Sequence, residues 1–154
     1  MTYRQMRVLF ACLARYDGRL TVLTARSQEP WTQWGVCLCD HVRQTWLCAG
    51  RLSEYAAFAH GRGAAVWAPG ERPLAELAAL PALHGPSMTW VEVLRALDVL
   101  ERGASRWSLA GIMATLPTQG APRYRLALWS ANRDIQRAVD SFAAFEPIVG
   151  GAAG

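Results

Sequence analysis

The segment from Thr89 to Glu101 constrains the fold of this chain more than any other. Glu92 follows Thr89 by three residues, which is the spacing of a capping box at the start of a helix. Apolar side chains then recur every three or four residues, so that one side of the helix is apolar. They are Trp90, Val93, Leu94, Leu97 and Leu100. The pattern predicts an amphipathic helix that packs against other apolar segments.

Apolar runs of strand length, separated by polar turns, flank this helix. Upstream, residues 34–39 and 45–52 predict a hairpin around a turn at 40–44. Downstream, residues 109–116 and 124–129 predict a second antiparallel hairpin. Hairpins with helices between them predict an α+β fold, in which one antiparallel sheet has helices on one face and leaves the other face free for a ligand.

Other segments are shorter or less regular. Residues 6–13 are apolar and predict a strand or a helix, Ser53 can cap a short helix over 54–60, and residues 64–68 predict a strand. A last helix is predicted to start near Asn132 and to carry four apolar side chains inward. They are Ile135, Val139, Phe142 and Phe145.

Length and composition predict one folded domain. A chain of 154 residues with 52% apolar residues can bury a proper core, and we assign it to residues 1–150 with a flexible tail at 151–154. No apolar run is long enough to cross a bilayer, so a cytoplasmic protein without a membrane partner is expected. The net charge is +4 and all 16 basic side chains are Arg, whose planar forks suit phosphate groups.

The four cysteines are Cys12, Cys37, Cys39 and Cys48. In a strand, Cys37 and Cys39 place both thiols on one face. A zinc site with His41 and Cys48 is one interpretation, but two cysteines separated by a single residue are not the usual zinc spacing. Thiols that act as small apolar residues are the favoured interpretation, and no metal is expected.

Seven Trp are more large aromatic faces than a core of this size needs. Spare Trp faces suit a flat cationic ligand. Trp34 and Trp90 are predicted to be core residues, and Trp31 and Trp107 have no assigned role. The three His have no carboxylate at a catalytic spacing, and a Gly-rich phosphate loop is absent from the sequence. The expectation is a protein that is not an enzyme and carries no cofactor.

The order of these motifs resembles the cap-binding translation initiation factor 4E family over roughly residues 30–145. The Trp90-x-Glu92-x-Leu94 helix is followed by a strand rich in small residues at 110–113, by a strand ending in Trp129, and by Asn132-Arg133 opening a helix. Upstream, the Trp34 strand, a polar turn and Thr45-Trp46 resemble the family's first two strands and the loop between them, and Trp46 belongs to that loop. Residues 66–76 resemble its third strand and the loop beyond.

The resemblance implies a curved antiparallel sheet with about three helices on its convex face. A slot on the concave face would bind the 7-methylguanosine cap of messenger RNA. Methylation at N7 makes guanine a cation, so stacking on Trp gains a cation–π contribution of up to about 2 kcal/mol when desolvated. By resemblance, Trp46 is the first stacking ring, Trp129 contacts the N7-methyl group, Arg125 binds phosphate, and Glu76 reads the guanine edge.

Two of the family's positions hold other residues here. The second stacking Trp precedes the guanine-reading Glu, and that place holds Ala75. A shifted register instead makes Trp67 the second ring and Glu71 the carboxylate. A second phosphate-binding Arg corresponds to Leu116, and Arg123 or Arg106 can compensate for it.

The resemblance also bears on partners. It implies capped mRNA as the ligand and a role in translation initiation or its control. The family binds scaffold proteins through a Trp in its first helix, and residues 54–58 contain none, which puts a translation scaffold in doubt. Compactness and these departures suit a divergent or virus-encoded member. The alternative is a protein-interaction module on the same fold that has lost cap binding.

Overall fold

The computed structural model describes residues 1–13, 20–28, 30–43, 45–49, 51–59, 86–103, 106–115 and 122–151. The chain divides into two compact units, Met1–Leu80 and Pro81–Gly154. Both contain helices and antiparallel strands, so the fold class is α+β, as predicted. The described residues form four helices, where about three were expected. The predicted strand at 64–68 lies outside the described residues.

The first unit runs α1 (Tyr3–Leu13), β1 (Leu20–Gln28), β2 (Gln33–Asp40), β3 (Thr45–Ala49) and α2 (Leu52–Ala59). The middle strand, β2, pairs antiparallel with both β1 and β3. The hairpin predicted for residues 34–52 and the short helix after it are therefore confirmed. Residues 6–13 lie in a helix rather than in a strand.

Strand β2 and helices α1 and α2 contribute side chains to an apolar core in the first unit. Alternate side chains of β2 are buried, among them Trp34, Val36 and Leu38. The ring of Tyr3 in α1 lies 5.8 Å from that of Trp34, and the buried Tyr55 hydroxyl in α2 donates a hydrogen bond to the Val36 carbonyl. Both helices thus pack on this side of β2, and Trp34 is a core residue, as predicted.

The second unit runs α3 (Trp90–Arg102), β4 (Ser108–Thr115), β5 (Arg123–Trp129), β6 (Gln136–Val139) and α4 (Phe142–Gly151). The middle strand, β5, pairs antiparallel with β4 and β6. The predicted helix at 90–101 and the second hairpin are confirmed. The described parts of the two units therefore share the same order of elements: a helix, three antiparallel strands and a second helix.

The capping box fixes the start of α3. The Thr89 hydroxyl accepts a hydrogen bond from Glu92 N at 3.2 Å, and Glu92 Oε1 accepts one from Thr89 N at 3.3 Å. Val93 and Leu97 are buried, while Trp90 is only half-buried and lies 5.0 Å from the Tyr124 ring. Packing on Tyr124 holds α3 against the buried side of β5.

The helix predicted from Asn132 is wrong over its first part. Residues 130–135 form a tight turn, in which Ser130 N donates to the Ile135 carbonyl at 2.9 Å and Arg133 has a φ of 58°. The Ser130 hydroxyl donates to Asp134 at 2.6 Å, which favours the turn over a helix. The chain returns as β6, so Ile135 is 56% exposed instead of facing inward. The helix begins only at Phe142 and includes Gly150 and Gly151.

None of the helices in the described ranges is both long and apolar enough to cross a membrane.

Candidate functional site

Seven residues were predicted to form the cap site. The structure describes the side chains of Arg123, Arg125 and Trp129, all on β5. For Trp46 it describes the backbone in β3. Trp67, Glu71 and Glu76 lie outside the described residues, and so do Ala75 and Leu116. The geometry therefore concerns the part of the predicted site that lies in the second unit.

Strand β5 has two different faces. Tyr124, Leu126 and Leu128 are buried and contribute to the core. The residues between them are half-buried and point to the opposite side, because side chains alternate along a strand. We call this side the arginine face of β5; it consists of Arg123, Arg125, Ala127 and Trp129. The alternation in the sequence correctly predicts that both arginines share one face.

The Arg123 guanidinium is used within the protein. Its Nε donates to the Ser87 hydroxyl at 2.7 Å, and its Nη2 donates to the Ser87 carbonyl at 2.8 Å. Next to this contact, Met88 and Tyr124 exchange two backbone hydrogen bonds of 3.0 and 2.9 Å. Arg123 thus holds the segment that leads into α3, and this contact competes with the phosphate role expected for it.

Arg125 has a different environment. It lies opposite Met113 of β4, a residue that is 37% exposed. The Arg125 Nε is buried and has no hydrogen-bond acceptor among the residues that the structure describes. A buried donor without a partner carries a desolvation cost of roughly 1–3 kcal/mol. An anionic ligand would offer the missing acceptor.

Trp129 lies at the end of the arginine face opposite to Arg123. It is four residues beyond Arg125, which in a strand corresponds to about 13 Å. Between these two positions the register aligns three small residues across the sheet, Gly111, Ala127 and Ala138. None of these three positions carries a side chain larger than a methyl group.

A bulge in β4 lies beside this row. The register between β4 and β5 shifts between Leu109 and Gly111, so that Ala110 is an extra residue. Bulges bend a strand and re-aim its side chains, and they are common next to binding sites.

Trp46 lies in β3, as the predicted hairpin has it, and not in the loop that the resemblance implies. It is the second residue of β3, and its backbone lies opposite Cys39 of β2. Asp40, the last residue of β2, organises the turn that leads into β3. The buried Asp40 carboxylate accepts hydrogen bonds from Val42 N and Arg43 N, both at 3.0 Å, and from Arg43 Nε at 2.7 Å.

Cys39 is buried beside a small polar cluster. Its Sγ lies 3.8 Å from His41 Nδ1, and His41 Nε2 lies 2.7 Å from the Thr21 hydroxyl. Burial raises the pKa of the Cys39 thiol to about 12, and the neighbouring Asp40 carboxylate adds to the rise. The thiol is therefore neutral near pH 7 and is a weak nucleophile there.

The cysteines differ from one another. Cys39 is buried and free, as expected of a small apolar residue, whereas Cys12 is free but exposed on α1. Cys37 is disulfide-bonded, which corrects the expectation that it is a buried thiol. Within the described ranges, no group of three His, Cys, Asp or Glu side chains is placed to hold a metal ion.

No protein-family model, no curated protein and no solved structure matches this chain at a level that identifies a relative.

Sequence reasoning missed several contributors to the arginine face. Ser87 lies two residues before the capping box of α3, and its contact with Arg123 joins residues 36 positions apart. The row of small residues depends on the register of three strands. A single sequence does not contain that register, although Gly111 and Ala127 alone are compatible with a close approach.

Proposed function

We propose that the arginine face binds a phosphate-bearing ligand, with Arg125 as the anion-binding residue and Trp129 as the neighbouring ring. The ligand we assign is the 7-methylguanosine cap of mRNA. The observation that carries the proposal is the buried Arg125 Nε without an acceptor, on the same face as Trp129.

The charge and shape of the face support an anionic, partly flat ligand. A guanidinium donates in a planar fork and forms charge-assisted hydrogen bonds to phosphate. The row of Gly111, Ala127 and Ala138 places only small side chains between the register positions of Arg125 and Trp129. The indole of Trp129 favours a cationic ring such as 7-methylguanine over a neutral one.

The choice of the cap among such ligands comes from the resemblance. It assigns stacking to Trp46 and Trp67, and the guanine edge to Glu76 or Glu71. A protein of this kind would act on capped mRNA in the cytoplasm, in translation initiation or its control.

Calorimetric titration with four ligands tests the proposal in parts. 7-Methyl-GTP carries both the cationic base and the phosphates, GTP lacks the methyl group, 7-methylguanosine lacks the phosphates, and inorganic triphosphate lacks the base. We expect 7-methyl-GTP to bind at least tenfold more tightly than each of the others. Arg125→Met should remove the advantage given by the phosphates, while Arg4→Met, a change at an exposed residue of α1, should not.

A protein-interaction module is the second candidate. Met113 and Ile135 are exposed apolar residues of the second unit, and Arg123 is held by Ser87 instead of being free for phosphate. Methionine next to an arginine suits a protein partner. Binding of none of the four ligands, together with a specific protein partner lost in Met113→Ser, would favour this function.

A further inference from the structure

The disulfide of Cys37 is best explained by the register of β2 and β3. Of the four cysteines, Cys12 and Cys39 are free and Cys37 is disulfide-bonded. The register places the backbone of Cys48 directly opposite Cys37. We propose that Cys37 and Cys48 form a cross-strand disulfide that thiols reduce in the folded protein, and that its redox state controls how firmly β3 is held. This inference does not rest on cap binding.

The backbone geometry suits this bond. Directly opposite residues of an antiparallel pair have Cα atoms about 4.5–5.5 Å apart. A disulfide needs Cα atoms about 4.4–6.8 Å apart, so Cys37 and Cys48 can be linked without moving the strands. In contrast, Cys39 lies opposite Trp46 and has no cysteine at its register position.

The bond is placed where a reductant can reach it. Cys37 is half-buried, whereas Trp34, Val36 and Leu38 on the other side of β2 are buried in the core. A thiolate of a small thiol or of a thioredoxin-like protein attacks one sulfur and forms a mixed disulfide, and the displaced thiolate takes up a proton. A second thiol then releases the second cysteine, so that two thiols are oxidised to a disulfide while Cys37 and Cys48 are reduced.

The neighbouring free thiol does not interfere with this exchange. Cys39 is buried, and its pKa is raised to about 12, so almost none of it is thiolate at neutral pH. Disulfide exchange requires a thiolate, and Cys39 therefore does not compete for the bond. Cys39 therefore adds no further pairing to the linked and reduced states of Cys37 and Cys48.

Strand β3 is the element that the bond affects. It has five residues, and its described strand pairing within the first unit is with β2. The crosslink limits the separation of these strands, and its loss leaves five register pairs to hold the strand. Disulfides are stable in oxidising compartments and are typically redox-sensing in the cytosol. In a cytoplasmic protein, the linked state would mark oxidising conditions.

Peptide mapping and hydrogen exchange on the intact protein test the inference. Mapping under non-reducing conditions should find one peptide pair, linked through Cys37 and Cys48. Addition of dithiothreitol to the folded protein should separate the pair while circular dichroism stays unchanged. Amide exchange over residues 45–49 should then become at least tenfold faster, and exchange over 20–28 should change little.

Variants separate the bond from general destabilisation. Cys48→Ser should show fast exchange over 45–49 with and without dithiothreitol, whereas Cys12→Ser should respond as the unaltered protein does. If Cys48→Ser does not fold, the response of the unaltered protein to dithiothreitol decides the question. A different pairing of Cys37, reduction only on unfolding, or unchanged exchange over 45–49 after reduction would overturn the inference.

Discussion

Arg123 on β5 clamps Ser87 through two hydrogen bonds, of 2.7 Å to the hydroxyl and 2.8 Å to the carbonyl. The clamp lies beside the backbone pairing of Met88 with Tyr124. Together these contacts hold the segment that leads into α3 beside the first residues of β5. They assign Arg123 to structure and leave Arg125 as the arginine of this face with a buried, unsatisfied donor.

Replacing Arg123 should therefore weaken the second unit. We expect Arg123→Ala to lower the free energy of unfolding by about 1–3 kcal/mol, because it removes two hydrogen bonds from a charged donor. Urea unfolding measures the change, and Arg106→Ala at an exposed position is the matched control. A loss for Arg123→Ala no larger than that of the control would show that the clamp contributes nothing.

Replacing Arg125 should not destabilise the second unit as replacing Arg123 does. Its buried Nε has no acceptor in the described part of the chain, so Arg125→Met should leave the free energy of unfolding unchanged or raise it by up to about 1–3 kcal/mol in the ligand-free protein. Sites that bind ligands often carry such a cost. Urea unfolding at low phosphate tests this. A clear destabilisation would indicate that Arg125 serves the fold instead of a ligand.

Much of this arrangement follows from local sequence patterns. The Thr89–Glu92 box sets the start of α3, because both partners lie within one helical turn. The alternation of polar and apolar residues in β5 predicts which side chains share a face. Both features involve residues close in sequence, and both are confirmed.

Features that depend on contacts between distant segments were missed. Ser87 and Arg123 meet only when the segment before α3 lies beside β5. The disulfide of Cys37 depends on the register of β2 and β3. At the β5–β6 turn, Ile135 and Val139 have helical spacing, but the hydrogen bond between Ser130 and Asp134 stabilises a turn instead.

The cysteines should react with alkylating agents at different rates. In the oxidised, folded protein at pH 8, iodoacetamide should modify the exposed Cys12 and leave Cys39 unmodified, since burial raises the Cys39 pKa to about 12. Peptide mass spectrometry measures both. Because the folded-state pKa is raised, the neutral thiol contributes stability that is complete below pH 9 and is lost as pH rises towards 12. Rapid alkylation of Cys39 at pH 8 would contradict this.

The stability of the β5–β6 turn should decrease as the pH is lowered. The hydrogen bond from Ser130 lowers the Asp134 pKa, and backbone hydrogen bonds add to the effect. Because the folded-state pKa is lowered, the turn is favoured above the ordinary Asp pKa and loses this support as pH falls through the lowered value. Carboxyl NMR titration should show the Asp134 pKa rising in Ser130→Ala and staying constant in Ser108→Ala. An Asp134 pKa that is equal in all three proteins would rule out this role of Ser130.

The most direct test of the proposed function is a calorimetric comparison of 7-methyl-GTP with GTP, in the unaltered protein and in Arg125→Met. The account predicts that 7-methyl-GTP binds the unaltered protein at least tenfold more tightly than GTP does, and that Arg125→Met weakens both. Equal binding of the two nucleotides, no binding of either, or full binding in Arg125→Met would contradict it.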